Sequence, residues 1–207
     1  MRMAAKIRLS TGLGLAALIA IGGPAVAQEQ TQQHHEPPLY MRDLKSFEGK
    51  TLEQKVQELT DREEIRSMIA TYAHRVAHGV PHYELFTDEG AFSVRRLPGG
   101  ETEFHSGMKE IANTRARTVE RFGDSLSAQK PLPMIHNFLI ALDGDEGLGM
   151  NSNELRIPER GKSIIASGYY EDRYRRVDGR WRFVRRDTTF IHWVPIQEGW
   201  ARPASEK

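Results

Sequence analysis

The sequence predicts an α+β fold in which helices come first and an antiparallel sheet follows. Between residues 51 and 81 the apolar residues recur every three or four positions, which is the period of an amphipathic helix. From residue 134 onward the period changes to alternation, and Asp-Gly pairs at 143–144 and 178–179 mark hairpin turns. This order predicts a curved sheet with helices packed on one face.

The helical region contains two capping boxes, and we expect a helix behind each. The first box is Thr51 with Gln54, and the second is Thr60 with Glu63. The short first helix has an apolar stripe made of Leu52, Val56 and Leu59. The second helix, which ends at Gly79, has a longer stripe made of Ile65, Met68, Ile69, Tyr72 and Val76.

Shorter elements connect these helices to the sheet. Residues 91–94 are predicted to form a strand, and residues 97–100 its turn. Ser106 is a candidate cap for another helix. The apolar residues of that helix are Met108, Ile111, Ala112 and Val119. Residues 123–133 have the composition of a loop.

Four long strands complete the predicted domain. They cover residues 134–142, 148–157, 163–177 and 181–194, and Pro195 ends the last one. Short turns join consecutive strands, so the four form an antiparallel meander. The pattern contains no internal repeat and no glycine motif for a dinucleotide or a phosphate.

The first 27 residues have the pattern of a secretory signal peptide. Three basic residues precede the apolar run 13–21, and Ala25 and Ala27 are the small residues expected before a cleavage site. We therefore expect cleavage after Ala27 and a periplasmic or secreted protein. The run is short for a membrane span, and the alternative is an uncleaved anchor.

The remaining sequence divides into a flexible polar leader at 28–50, a folded domain at 51–195 and a tail at 196–207. The 207 residues contain no cysteine, which excludes disulfides, thiolate metal sites and a cysteine nucleophile. The formal net charge is +1 for the whole chain and becomes −2 without residues 1–27, which contain three basic and no acidic residues. Such a charge predicts no nucleic-acid partner.

Several stretches together resemble the SnoaL-like family of the nuclear transport factor 2-like superfamily. The resemblance spans roughly residues 55–195. The stretches that carry it are Ile65-Arg66 with Tyr72-Ala73-His74, the run from Leu85 to Phe92, Asn137 with Ile140 and Asp143-Gly144-Asp145, the run from Gly168 to Asp172, and the run from Asp178 to Phe183 with Arg186.

This resemblance implies a cone, in which a strongly bent sheet wraps around helices and leaves a pocket inside. Members of the family include dehydratases, isomerases, polyketide cyclases and dehalogenating lyases, and many of them need no cofactor. Other proteins of this fold only bind ligands or partners. The enzymes typically use a histidine that a carboxylate orients, together with a tyrosine that steadies an oxyanion.

Two positions on the first long helix correspond to catalytic residues of the family's enzymes. Tyr72 matches the family's tyrosine and is a candidate hydroxyl donor, with a buried core tyrosine as the alternative. The family's acidic residue follows five positions later, where this chain has Ala77. Alanine can neither orient a histidine nor accept a proton, so this difference favours a non-catalytic role.

His136 is the candidate general base. It lies on an apolar predicted strand, with Phe138 and Ile140 at alternating positions on its own side. The alternative is a core histidine with satisfied hydrogen bonds. Strict alternation turns His136 and Asn137 to opposite faces, so both can face the pocket only if a bulge intervenes.

Carboxylates on the following strands are candidate partners. Glu154, on the returning strand of the hairpin, is placed to pair with His136, and the alternative is a solvent-facing carboxylate. Asp172 matches the family pattern, with a role either at the substrate or as the partner of an arginine. The candidate substrate-binding residues are Asn137, Phe138, Tyr170, Arg186, His192 and Trp193.

Three functions are compatible with these residues. The first is a cofactor-independent lyase or isomerase that acts on a small apolar molecule, such as a polycyclic or aromatic one. The second is a non-catalytic ligand-binding or interaction module of the same fold. The third is a metal protein that uses His74 and His78, which have i, i+4 spacing, but no acidic third ligand follows and we predict no metal site. The arginine-rich sheet face is a possible surface for a homo-oligomer.

Overall fold

A computed structural model describes residues 37–42, 44, 47–97, 99–114, 131–159 and 161–199. The predicted signal peptide, most of the leader, Val119, most of the predicted loop and the end of the tail lie outside these residues. The described residues all fall within one compact unit that begins at Pro37.

The secondary structure follows the predicted order of helices and then strands. The helix α1 spans Leu52–His78, and a second helix, α2, begins at residue 108 and is described as far as residue 114. Single 3-10 turns occur at Leu39–Met41 and Tyr83–Leu85. The strands are β1 Phe86–Arg96, β2 Thr102–Ser106, β3 Leu132–Asp143, β4 Glu146–Glu159, β5 Lys162–Val177 and β6 Arg180–Pro195.

The first helix is continuous, where the sequence predicts two. The capping box at Thr51 is present, with the Gln54 amide 3.3 Å from the threonine hydroxyl. The second predicted box does not cap, because the Thr60 hydroxyl donates to the Val56 carbonyl at 2.9 Å inside the helix. No glycine or proline interrupts the chain there, so the helix continues until Gly79, whose φ of 66° ends it.

The six strands form one mixed sheet in the order β2-β1-β6-β5-β4-β3. The predicted meander is present as β3 to β6, with all neighbours antiparallel. Strand β1 is longer than predicted and runs parallel to β6, while β2 is an additional edge strand that the sequence analysis missed. The sheet is not closed, and its concave side forms a cone-like cup.

The core lies between α1 and the concave face of the sheet. Ile65, Ile69 and Tyr72 of the helix are buried against sheet residues that include Phe86 and Phe183. The predicted stripe of the first two helical turns is instead exposed, with Leu52 at 72% of its maximum accessible area. The second predicted stripe therefore supplies the packing that holds the helix in the cup.

Irregular pairing on β6 decides which of its side chains enter the cup. Tyr174 pairs with Phe183 and Arg173 with Arg185, so Val184 is an extra residue on β6. The alternation shifts by one residue at this bulge. As a result Arg186 is buried while Arg185 is exposed.

A second bulge on β6 shifts the alternation again near its end. Ser167 pairs with His192 and Gly168 with Phe190, which leaves Ile191 as the extra residue. Trp193 consequently lines the cup, and His192 does not.

Gly149 makes room for the ring of a tyrosine that is central to this core. A Cβ at residue 149 would overlap the Tyr174 hydroxyl and lie 2.6 Å from its Cζ. We predict that Gly149→Ala destabilises the protein by about 2 kcal/mol, because the ring must move and its buried hydrogen bond is lost. Denaturant unfolding measures this change, with Met150→Ala on the same strand as a control. An unfolding midpoint equal to that of the wild type would contradict the prediction.

Candidate functional site

A cavity of about 280 Å³ lies in the cup, between the end of α1 and the concave face of the sheet. Its walls are mainly aliphatic and aromatic, from residues such as Val76, Phe92, Leu155 and Phe190. Polar side chains are few on this surface. They come from the helix, the loop that follows it and the sheet, and include Tyr72, Arg75, His82, Arg96, Tyr170 and Thr188.

A buried ion pair lies deeper in the cup. Asp172 and Arg186 are register partners on β5 and β6, and both side chains are fully buried. Arg186 donates from Nε to Oδ1 at 2.8 Å and from Nη2 to Oδ2 at 2.9 Å. Oδ2 also accepts from Asn151 at 3.1 Å and from the Tyr174 hydroxyl at 2.9 Å. Four donors therefore occupy this carboxylate, which fits the alternative that Asp172 pairs with an arginine.

Aromatic rings surround the guanidinium of that pair. The Cζ atom of Arg186 lies 4.4 Å from the ring centre of Tyr72, 4.1 Å from that of Tyr170 and 4.3 Å from that of Phe183. These distances are typical of cation–π contacts. Burial raises the pKa of both tyrosine hydroxyls, and the positive charge of Arg186 offsets this only in part. Both hydroxyls remain protonated at neutral pH.

His82 is the histidine that faces the cavity. It follows the helix in the loop that starts at Gly79, and its ring centre lies 5.0 Å from that of Tyr72 in an edge-to-face arrangement. Burial lowers the pKa of His82 to about 4, and the positive charges of Arg186 and Arg75 act in the same direction. A hydrogen bond with the Val80 backbone has the opposite, smaller effect. The imidazole is therefore neutral at pH 7.

The structure corrects the predicted position of His136. The side chain is exposed on β3 and does not line the cavity. His136 pairs with Ser152, whereas Glu154 pairs with Met134 and accepts a hydrogen bond from Arg156 at 3.3 Å. The predicted His136–Glu154 pair is therefore not formed.

A bulge explains why the alternation argument did not locate His136. The register of β3 shifts between His136 and Leu139, and Asn137 adopts a φ of 57°. Asn137 is exposed as well, and its side chain donates to the Ser152 hydroxyl at 3.1 Å. The bulge thus leaves both neighbouring polar side chains outside the cavity rather than bringing both into it.

The other candidate residues occupy three kinds of position: in the cavity lining, in the ion pair, or away from both. Tyr72, Tyr170 and Trp193 line the cavity, and Asp172 and Arg186 form the ion pair beneath it. Phe138 packs against the hydrophobic core instead, and His192 does not line the cavity. Sequence reasoning missed His82, Arg75, Arg96 and Thr188 as cavity residues.

No carboxylate is among the described residues that line the cavity. Ala77 is half-buried at the position where the family has its acidic residue. His74 and His78 are exposed on α1, and the described part of the chain contains no group of three histidine or acidic residues that could hold a metal ion. None of the helices in the described ranges is long and apolar enough to cross a membrane.

Comparisons with known proteins agree with this architecture. A family model described as the SnoaL-like domain matches residues 57–187. No curated protein matches the chain. The structure is similar to hexachlorocyclohexane dehydrochlorinase LinA-type3 from Novosphingobium barchaimii LL02, with a TM-score of 0.59 and 15% identity over 72% of this chain and 99% of that one.

A second similar structure is an NTF2-like protein with a cystatin-like fold from Novosphingobium aromaticivorans. The TM-score is 0.51 and the identity is 22%, over 73% of this chain and 92% of that one. At these identities the likeness to solved structures shows the fold alone. The nuclear transport factor 2-like fold expected from the sequence is thereby confirmed.

The neutral state of His82 predicts a specific pH dependence of stability. Unfolding restores an ordinary histidine pKa near 6.5, so the unfolded chain binds the extra proton first as the pH falls. The contribution of His82 to the free energy of unfolding is fully present above pH 6.5. It decreases by about 3 kcal/mol as the pH falls toward 4. We expect His82→Gln to lose this part of the acid sensitivity.

Denaturant unfolding between pH 4.5 and 7.5 measures the effect as a difference between variants. His74→Gln is the matched control, because His74 is exposed on α1. Parallel pH profiles for the wild type and His82→Gln would show that the imidazole is not held neutral.

Proposed function

Because the chain belongs to the SnoaL-like family, we propose that its cavity binds one small, mainly apolar molecule of one or two rings. The observation that carries this proposal is the cavity of about 280 Å³ with mainly aliphatic and aromatic walls and a few polar side chains. Its volume is close to the lower end of ligand pockets, roughly 300 Å³. Burial of ring carbons against these walls supplies the affinity, and the few polar groups fix the orientation.

We further propose that the protein acts outside the cytoplasm, in the periplasm or after secretion. This part rests on the signal-peptide pattern of the first 27 residues. A chain without cysteines does not depend on disulfide formation after export. Neither proposal invokes a cofactor.

Filling the cavity tests the binding function. Val94 is half-buried and lines the cavity, so we predict that Val94→Phe weakens the binding of two-ring probes such as 2-naphthol and 2-tetralone at least tenfold. Isothermal titration calorimetry measures the affinity. Val56→Phe is the matched control, because Val56 is 54% exposed on α1. If Val94→Phe binds the probes as tightly as the wild type, or if the wild type binds none of them, the proposal is wrong.

A catalytic version of this function is the second candidate, and His82 favours it. A neutral imidazole that lines the cavity can accept a proton from a carbon beside a carbonyl group, and its pKa of about 4 makes it a weaker base than an ordinary histidine. The C–H electrons then form a carbon–carbon double bond while the carbonyl π electrons move to the oxygen. The hydroxyls of the lining residues Tyr72 and Tyr170 are candidate donors to that enolate. Return of the proton to a different atom completes an isomerisation, and loss of a leaving group completes an elimination. This version assigns the base to His82 instead of His136.

Two observations favour binding without chemistry as the first choice. No described residue that lines the cavity is a carboxylate, so nothing in the cavity corresponds to the acidic partner of the histidine in the family's enzymes. Ala77 stands at the position of that partner. A similar structure is named a dehydrochlorinase, and its likeness supports elimination chemistry only through the shared fold.

Proton exchange tests the catalytic version directly. If His82 is a base, the protein accelerates the exchange of the α-protons of 2-tetralone with D₂O, and His82→Gln reduces this acceleration at least a hundredfold. NMR measures the exchange at pD 7, and His74→Gln serves as the control with an exposed histidine replaced. Exchange at the uncatalysed rate with saturating wild-type protein would leave binding as the only function.

A further inference from the structure

Thr188 carries a buried hydroxyl that has no protein partner. The residue is 2% exposed and lines the cavity, and its Oγ1 atom makes no hydrogen bond. An unsatisfied buried hydroxyl destabilises a folded protein, so a group that pairs with it from the cavity would recover that loss. The hydroxyl therefore points to a polar atom on the ligand.

Two other hydroxyl-bearing side chains share this end of the cavity. Tyr170 pairs with Thr188 across β5 and β6, so both side chains lie on the concave face of the sheet. Tyr72 approaches from α1, with its ring centre 6.3 Å from that of Tyr170. We call Thr188, Tyr170 and Tyr72 the hydroxyl cluster. It presents potential donors from the helix and from the sheet to one region of the cavity.

The guanidinium groups that line the cavity are positively charged, whereas the charge of Arg186 is paired with that of Asp172. Arg75 and Arg96 line the cavity, and Arg186 lies directly behind the two tyrosine rings. The acidic partners of the first two, Glu84 at 3.2 Å and Glu103 at 2.7 Å, do not line the cavity. The positive charges of Arg186 and Arg75 also act on His82. A ligand in the cavity thus meets cationic groups and no described carboxylate.

Two buried guanidinium donors in this region have no hydrogen-bond partner among the described residues, and neither does one buried acceptor, the Asn151 Oδ1 atom. Arg96 has a buried Nε and Arg186 a buried Nη1 without a hydrogen-bond partner, while the oxygens of Asp172 already accept four hydrogen bonds. Two hydroxyl groups of the cluster belong to tyrosines that stay protonated. A carboxylate offers two oxygens with about four acceptor positions and a negative charge, which complements this arrangement.

We propose that the ligand is a small cyclic or aromatic acid whose carboxylate binds at the hydroxyl cluster while its rings occupy the apolar part of the cavity. This inference rests on the proposed binding function and adds the chemical class of the ligand to it. The carboxylate accepts from Thr188 and from the tyrosine hydroxyls, and the nearby guanidinium groups stabilise its charge. The ring carbons lie against residues such as Leu155, Ile157 and Phe190.

A pair of probes with the same shape tests the charge. We expect 2-naphthoate to bind at least tenfold more tightly than 2-naphthamide at pH 7 and low salt, and the ratio to fall as the salt concentration rises. Isothermal titration calorimetry on the full folded chain gives both affinities. Equal affinities would overturn the carboxylate inference and leave the binding function standing. No binding of either probe would overturn both.

Removal of the Thr188 hydroxyl tests where the ligand carboxylate binds. Thr188→Val is expected to weaken 2-naphthoate binding at least fivefold and to change 2-naphthamide binding less. The unfolding midpoint should stay equal or rise, because the lost hydroxyl has no partner in the protein. Thr189→Val is the matched control, since the neighbouring residue does not line the cavity. Unchanged naphthoate affinity in a folded Thr188→Val variant would overturn the assignment of the carboxylate to this cluster.

Discussion

The buried ion pair of Asp172 and Arg186 is the constraint on which the rest of the cup depends. Removing two charges from water costs several kcal/mol for each ion, and hydrogen bonds to the pair must offset most of that cost. The two direct hydrogen bonds meet most of this need, and Asn151 and Tyr174 complete the coordination of the carboxylate. The same hydrogen bonding requires glycine at residue 149, because only a residue without a Cβ leaves room for the Tyr174 hydroxyl.

The chemistry of the cavity follows from that pair. The Arg186 guanidinium is buried among aromatic rings, and its charge acts on His82 and on the two neighbouring tyrosines. Burial lowers the pKa of His82 and keeps it neutral, with the guanidinium charge acting in the same direction, and burial also keeps the two tyrosines protonated. A single structural ion pair thus contributes to the electrostatics of the cavity, although its own carboxylate accepts four hydrogen bonds and does not line the cavity.

The fold could be predicted because many residues share the same periodic pattern. The orientation of each site residue depends instead on single-residue insertions in the strands. The period of the apolar residues identified α1 and the four long strands, and several positions had to agree before a strand was assigned. The side of the sheet to which a single side chain points is not supported by several agreeing positions in this way. One extra residue reverses the alternation beyond it, which is why His136 was predicted inside and is exposed, and why Trp193 rather than its neighbour His192 reaches the cavity.

The resemblance to the family located only part of the cavity, because Tyr72 and Tyr170 lie in the matched stretches whereas His82 does not. Asp172 and Arg186 also lie in the matched stretches, and they form the buried ion pair. His82 lies in the short loop after Gly79, and a loop sequence gives no period from which its direction can be inferred. Proteins that share this ion pair can therefore differ in the other polar groups of the cavity. Ala77 occupies the position of the acidic residue in the family pattern, while Asp172 and Arg186 of the matched stretches form the buried ion pair.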